Sequence, residues 1–127
     1  MDRKYLYEVI HVFGIVLTFS ALGALNLLVA NGATKQTNSQ RRLIAATHGV
    51  GTFLILLGGF GMLARLGLVS GHAFPLWLWV KIAIWVVVAA AAALPYRRPA
   101  LARPAFFALP LLAAVAAAMA IFKPFAD

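Results

Sequence analysis

The 127-residue sequence contains no cysteine and only three acidic residues, and charged residues make up 11% of it. The lack of Cys excludes a disulfide scaffold and a zinc–thiolate centre. The scarcity of charge excludes a water-soluble globule, because soluble domains carry about 25% charged residues to cover their surface. Intrinsic disorder is excluded as well, since 64% of the residues are hydrophobic and the mean hydropathy is +0.94. Eleven Lys and Arg give a formal net charge of +8. A nucleic-acid binder gathers such charge on a polar face. Here it sits at the ends of long apolar runs, where membrane proteins carry it, so nucleic acid is not an expected partner and the lipid bilayer is.

What the sequence has in abundance is membrane-length apolar segments, each crossing needing roughly 20 residues. Four are expected, at approximately 5–30, 42–68, 75–95 and 101–122, within one domain covering 1–127. The polar stretch 31–40 separates the first two, Val69-Ser70-Gly71-His72 closes the second, and Tyr96-Arg97-Arg98-Pro99 precedes the fourth. Pro75 suits the first turn of the third helix, and Pro110 predicts a kink in the last. The opening Asp2-Arg3-Lys4 loosely imitates a signal peptide, but the apolar run is longer than the usual 7–15 residues, so a true first span is expected. The fold expected is all-α: a polytopic membrane protein with four transmembrane helices in an up-down bundle. Only short loops remain outside the spans, which puts any chemistry in the membrane or at its surface.

One end of such a bundle carries Arg3, Lys4, Arg65, His72 and Lys123 with every acid (Asp2, Glu8 and Asp127). The other carries Lys35, Arg41, Arg42, Arg97, Arg98 and Arg103 and no acid. By the positive-inside rule the second end is cytoplasmic and both termini lie outside, in a plasma membrane.

Ionisable residues at membrane depth are costly and mark function more often than those in loops. Glu8, His11, His48, Arg65 and Lys81 qualify. At 1.5 Å per residue, His11 and Lys81 both lie roughly 10 Å in from the same end, with Arg65 at a similar or shallower level and Glu8 one turn above His11. His11, Gly14, Thr18 and Leu22 share a stripe of the first helix, leaving space for a partner helix or a flat ligand. Trp77, Lys81 and Trp85 repeat at i, i+4, while Gly58-Gly59-Phe60-Gly61 permits close helix approach. The competing readings are ordinary ones. Lys81 and Arg65 can snorkel, Glu8 can pair with Lys4, His48 can bond a neighbouring span, and the indoles can anchor the interface.

An imidazole and an amine in one layer suit an axial site for haem, with His11 and Lys81 as the metal-ligating pair and Arg65 receiving a propionate. A two-haem arrangement with four His is excluded, because only His11 and His48 lie within spans, and they enter from opposite ends. Two further readings remain: a non-catalytic subunit or assembly factor, homo-oligomeric or part of a larger membrane complex, and a small proton-coupled transporter using Glu8, His11 or Lys81.

Tyr5-Leu6-Tyr7-Glu8-Val9-Ile10-His11, Arg41-Arg42-Leu43-Ile44 and Trp77-Leu78-Trp79-Val80-Lys81 resemble small four-helix bacterial membrane proteins of the HemJ-type protoporphyrinogen oxidase, SirB and CopD-like group. The tail Ile121-Phe122-Lys123-Pro124 looks most like the SirB branch. The resemblance implies a bacterial inner-membrane protein. It also implies haem of the b type and redox activity at a first-span His and a third-span Lys, which are His11 and Lys81 here.

Overall fold

A computed structural model describes residues 3–65 and 74–122, with the backbone alone described at Lys4 and Arg65. Among the described residues every regular element is helical. α1 runs from Arg3 to Ala30, α2 from Arg41 to Arg65 and α3 from Leu76 to Ala90. A short α4, Leu94–Arg97, and a 3-10 turn, Pro99–Leu101, lead into α5, Ala102–Phe122.

Three segments are long and apolar enough to cross a membrane: Tyr5–Ala30, Arg41–Ala64 and Pro99–Phe122. They lie close to the expected limits, although the last residues of the expected second span, 66–68, fall outside the described residues. α5 continues through Pro110 as one helix. The third segment is shorter than expected. α3 has 15 residues, about 22 Å of rise, and stops at Ala90 rather than near Pro95. The cause is local: Ala91-Ala92-Ala93 are strong helix formers, but Pro95 has no N–H to donate to the Ala91 carbonyl and its ring crowds the preceding turn. The chain turns at Ala91–Ala93 and restarts as α4 with Pro95 buried.

The α1–α2 connection is built by local hydrogen bonds. Gly32, with φ +101°, donates to Val29 O (2.9 Å) while Ala33 N reaches Leu28 O (2.9 Å), a Schellman closure of α1 that needs a residue tolerant of positive φ. Buried Asn38 accepts from Gln40 N (3.0 Å) through Oδ1 and donates through Nδ2 to the Tyr96 hydroxyl (2.8 Å), tying this loop to α4. Lys35, Arg41, Arg42, Arg97, Arg98 and Arg103 are all exposed around it.

α1 packs most extensively on α2, α5 lies against α1 and α3, and α2 touches α3 only lightly. The close α1–α2 seam comes from missing side chains. A Cβ on Gly14 would fall 2.7 Å from the Gly51 carbonyl oxygen, one on Gly51 would collide with Thr18, and one on Gly61 would strike the Tyr7 ring. At one end Leu25, Val29, Ile44 and Ala102 form a buried cluster joining α1, α2 and α5; at the other, Leu63, Trp77 and Leu78 join α2 and α3, with Met119 of α5 packed on them. Between them Leu22, Val88, Ala91 and Leu109 fill the middle. Outward-facing Val9, Phe13, Val16, Phe53, Phe107 and Leu111 are each more than half exposed, the surface of a protein solvated by lipid rather than water.

Candidate functional site

His11, on the inner stripe of α1, rests against the glycine-rich part of α2. Its Nδ1 lies 2.8 Å from the carbonyl oxygen of Ile55. A carbonyl only accepts, so Nδ1 carries the hydrogen, and in the neutral ring Nε2 is left as the lone-pair nitrogen. A hydrogen bond of this kind fixes tautomer and ring orientation in metal-ligating histidines.

The ring opens on a cavity of about 330 Å³ between α1, α2 and α3, closed on a fourth side by Ala120 of α5. Lys81 lines the same cavity from α3, and Glu8 lines it one turn above His11. Trp77, Trp85 and Met62 supply flat and soft apolar walls. The cavity exists because α2 and α3 barely meet here. Further along they are joined by two hydrogen bonds: His48 Nε2–H donates to Val88 O (3.0 Å), and Trp85 Nε1–H donates to Thr52 O (3.1 Å). Thr52 in turn donates its hydroxyl to His48 O (3.0 Å) and Gly49 O (3.1 Å).

The structure thus brings His11, Lys81 and Glu8 to one chamber and keeps His48 out of it. His48 is a buried helix-to-helix hydrogen bonder. Arg65 terminates α2, but its side chain lies outside the described residues, as does His72. Among the described residues Lys81 forms neither a hydrogen bond nor an ion pair, although it is only partly exposed. Trp77 and Trp85 both face the chamber with Lys81, while Trp79 is exposed and meets Phe74 in a tilted ring contact, centroids 5.6 Å apart. A larger, shallow groove of about 520 Å³ follows the outer face of α1 past Val9, Val12 and Val16; its lining is almost wholly apolar.

Two elements of this site have no side-chain signature: the Ile55 carbonyl and the room left by glycine. Only the second was visible as Gly58-Gly59-Phe60-Gly61. Buried Thr18 and Asn26 were also not singled out by their polarity. The Thr18 hydroxyl and both polar atoms of the Asn26 amide are buried without a hydrogen-bond partner.

Among the described residues no group of three or more His, Cys, Asp or Glu could hold a bare metal ion. One imidazole nitrogen and one amine are too few for that task. They suffice for a metal that arrives with its equatorial ligands already supplied by a macrocycle, which asks the protein only for axial donors. By donor chemistry alone, the pair is compatible with haem. Compared with known proteins, the chain matches no family model, no curated protein and no solved structure.

Proposed function

We propose that this chain is a haem-binding redox protein of the bacterial inner membrane, similar in kind to the HemJ-type oxidases, with α3 as a fourth crossing in an up-down bundle and both termini outside the cytoplasm. The observation that carries the reading is the His11 ring, held by Ile55 O with Nε2 open, in a lipid-level chamber shared with Lys81.

His11 would hold the iron through Nε2, with Nδ1 anchored on Ile55 O so that the ring keeps its orientation. Lys81, which lines the same chamber from α3, would serve as a further donor to the iron when its amine is bare or as the partner of a propionate when protonated. By its sequence position at the end of α2, Arg65 would be a further propionate partner. The indoles of Trp77 and Trp85 and the Met62 side chain would exclude water and offer the ligand flat and soft apolar surfaces. Bound haem b supplies one-electron chemistry, and Glu8 at the mouth gives a proton-exchanging carboxylate one turn from His11.

The test is optical. Protein purified in mild detergent and supplemented with haem shows a Soret band with a saturable one-to-one titration, and His11→Ala loses it. A wild-type protein with no Soret shift at any haem ratio removes the proposal.

A second reading, a subunit of a homo-oligomer or larger membrane complex, is favoured by α5. Only 6% of its most apolar window is buried, and its exposed positions include the small residues Ala108, Ala114 and Ala117, which suit close helix packing. Native mass spectrometry from nanodiscs tests it: a single chain at all detergent strengths counts against this reading.

A further inference from the structure

We infer that Gly58 is a positioning residue that sets the tautomer of His11, by allowing α2 to approach closely enough for the Ile55 carbonyl to capture Nδ1. The inference rests on the reading of Nε2 as the ligating atom.

Two independent observations meet at this point. The first is steric. A Cβ built on Gly58 would lie 2.6 Å from both the backbone nitrogen and the Cβ of His11 and 2.7 Å from its Cα. None of these atoms can swing aside, so any side chain at position 58 forces α1 and α2 apart. The second is the hydrogen bond from His11 Nδ1 to Ile55 O at 2.8 Å, one turn earlier on the same face of α2. Separating the helices by even 1 Å takes that contact beyond hydrogen-bonding distance.

Gly59 supplies an internal control. Its Cβ would stand 3.5 Å from His11 Cε1 and 3.6 Å from Nδ1, ordinary van der Waals contact. The two neighbouring glycines therefore have different duties: the first is required by the backbone of α1, whereas the second has room for a methyl group under the ring.

The chemical consequence follows from the two nitrogens of imidazole. Neutral imidazole in water favours hydrogen on Nε2, the nitrogen a ligand must find bare. Ile55 O reverses that preference by demanding a donor at Nδ1. Without the close approach the ring relaxes toward Nε2–H, and its open nitrogen becomes Nδ1, turned to the α2 backbone. No charge is added or removed anywhere; only the location of one hydrogen changes.

The experiment is ¹⁵N NMR of histidine-labelled protein in nanodiscs at a pH where the ring is neutral, with haem titrated separately. Wild type and Gly59→Ala are expected to show His11 with hydrogen on Nδ1. Gly58→Ala is expected to move the ring toward Nε2–H and to weaken haem binding by about 10- to 100-fold, the usual cost of losing an outer partner of a ligating His. Where Gly58→Ala prevents folding, replacing Leu56 by its α-hydroxy acid weakens the Ile55 carbonyl as an acceptor without adding an atom, and the same tautomer shift is expected. An Nε2–H ring in the wild type overturns the inference, as does an unchanged ring in Gly58→Ala or in the ester variant. A wild-type ring with hydrogen on Nδ1 in a protein that takes up no haem supports the inference while removing the haem reading.

Discussion

α3 carries Lys81, and besides the buried Leu63–Trp77–Leu78 cluster it is held to α2 by two hydrogen bonds, whose removal tests how the chamber is kept in shape. His48→Leu keeps much of the side-chain volume and deletes the donor to Val88 O, which then retains the helix-capping N–H of Ala91 at 3.3 Å, an N–H shared with Val87 O. Trp85→Phe deletes the donor to Thr52 O while leaving an aromatic ring. A hydrogen bond contributes about 0.5–1.5 kcal/mol net in water-soluble proteins. Between membrane helices the mean is nearer 0.6 kcal/mol, because the unfolded chain in lipid also finds partners. Each single substitution is therefore expected to cost about 0.6–1.5 kcal/mol. The two bonds are linked through Thr52, which offers its carbonyl to Trp85 and its hydroxyl to His48 O, so they act on one stretch of α2. Either bond alone still holds α3 in register. The double variant should then exceed the sum of the singles by about 0.5 kcal/mol or more. Reversible unfolding in mixed SDS micelles followed by far-UV circular dichroism measures all three losses without relying on tryptophan emission. Additivity, or a His48→Leu protein as stable as wild type, refutes the idea that these bonds hold α3 in place.

The remaining predictions concern the seams. Gly51→Ala gains about 0.8–1 kcal/mol of helix propensity but drives a methyl group into Thr18, at an overpacking cost of about 1–3 kcal/mol, so unfolding should show net destabilisation. Gly49→Ala, with nothing within 4 Å of its Cβ, keeps the gain alone and should raise stability in the same assay. Asn26→Leu removes two buried amide atoms that lack partners and should stabilise by about 1–3 kcal/mol in thermal unfolding. Gly32→Ala strains a residue at φ +101° and should cost about 1 kcal/mol, measured as a lower midpoint with unchanged helicity.

Hydropathy located α1, α2 and α5 well, because an apolar run of membrane length has few alternative structures. It overran α3, since Ala91-Ala92-Ala93 look helical in composition and only the missing N–H of Pro95 ends the helix there. The meeting of His11 and Lys81 was legible for a geometric reason: depth along a helix is residue number times a constant rise. His48 was legible as a packing group by its level and its distance from His11. The partner of His11 was not legible, because a backbone carbonyl at Ile55 looks like any other in the sequence. Nor was the difference between Gly58 and Gly59, which depends on the rotation of α2 about its own axis. The buried amide of Asn26 escaped notice because a single Asn near the end of an apolar run resembles one facing headgroups.

The brevity of α3 also bears on the surrounding lipid. As a crossing segment its 22 Å or so is about 8 Å less than a typical hydrocarbon core of about 30 Å, while α1 rises about 42 Å. With α3 as the proposed fourth crossing, the two helices could not both match one flat bilayer. α1 would have to tilt, and the leaflet beside α4, where Arg97 and Arg98 are exposed, would have to dip to meet them. Such a protein would carry its own dimple of thinned membrane, be most stable among short acyl chains, and partition away from thick, ordered bilayers.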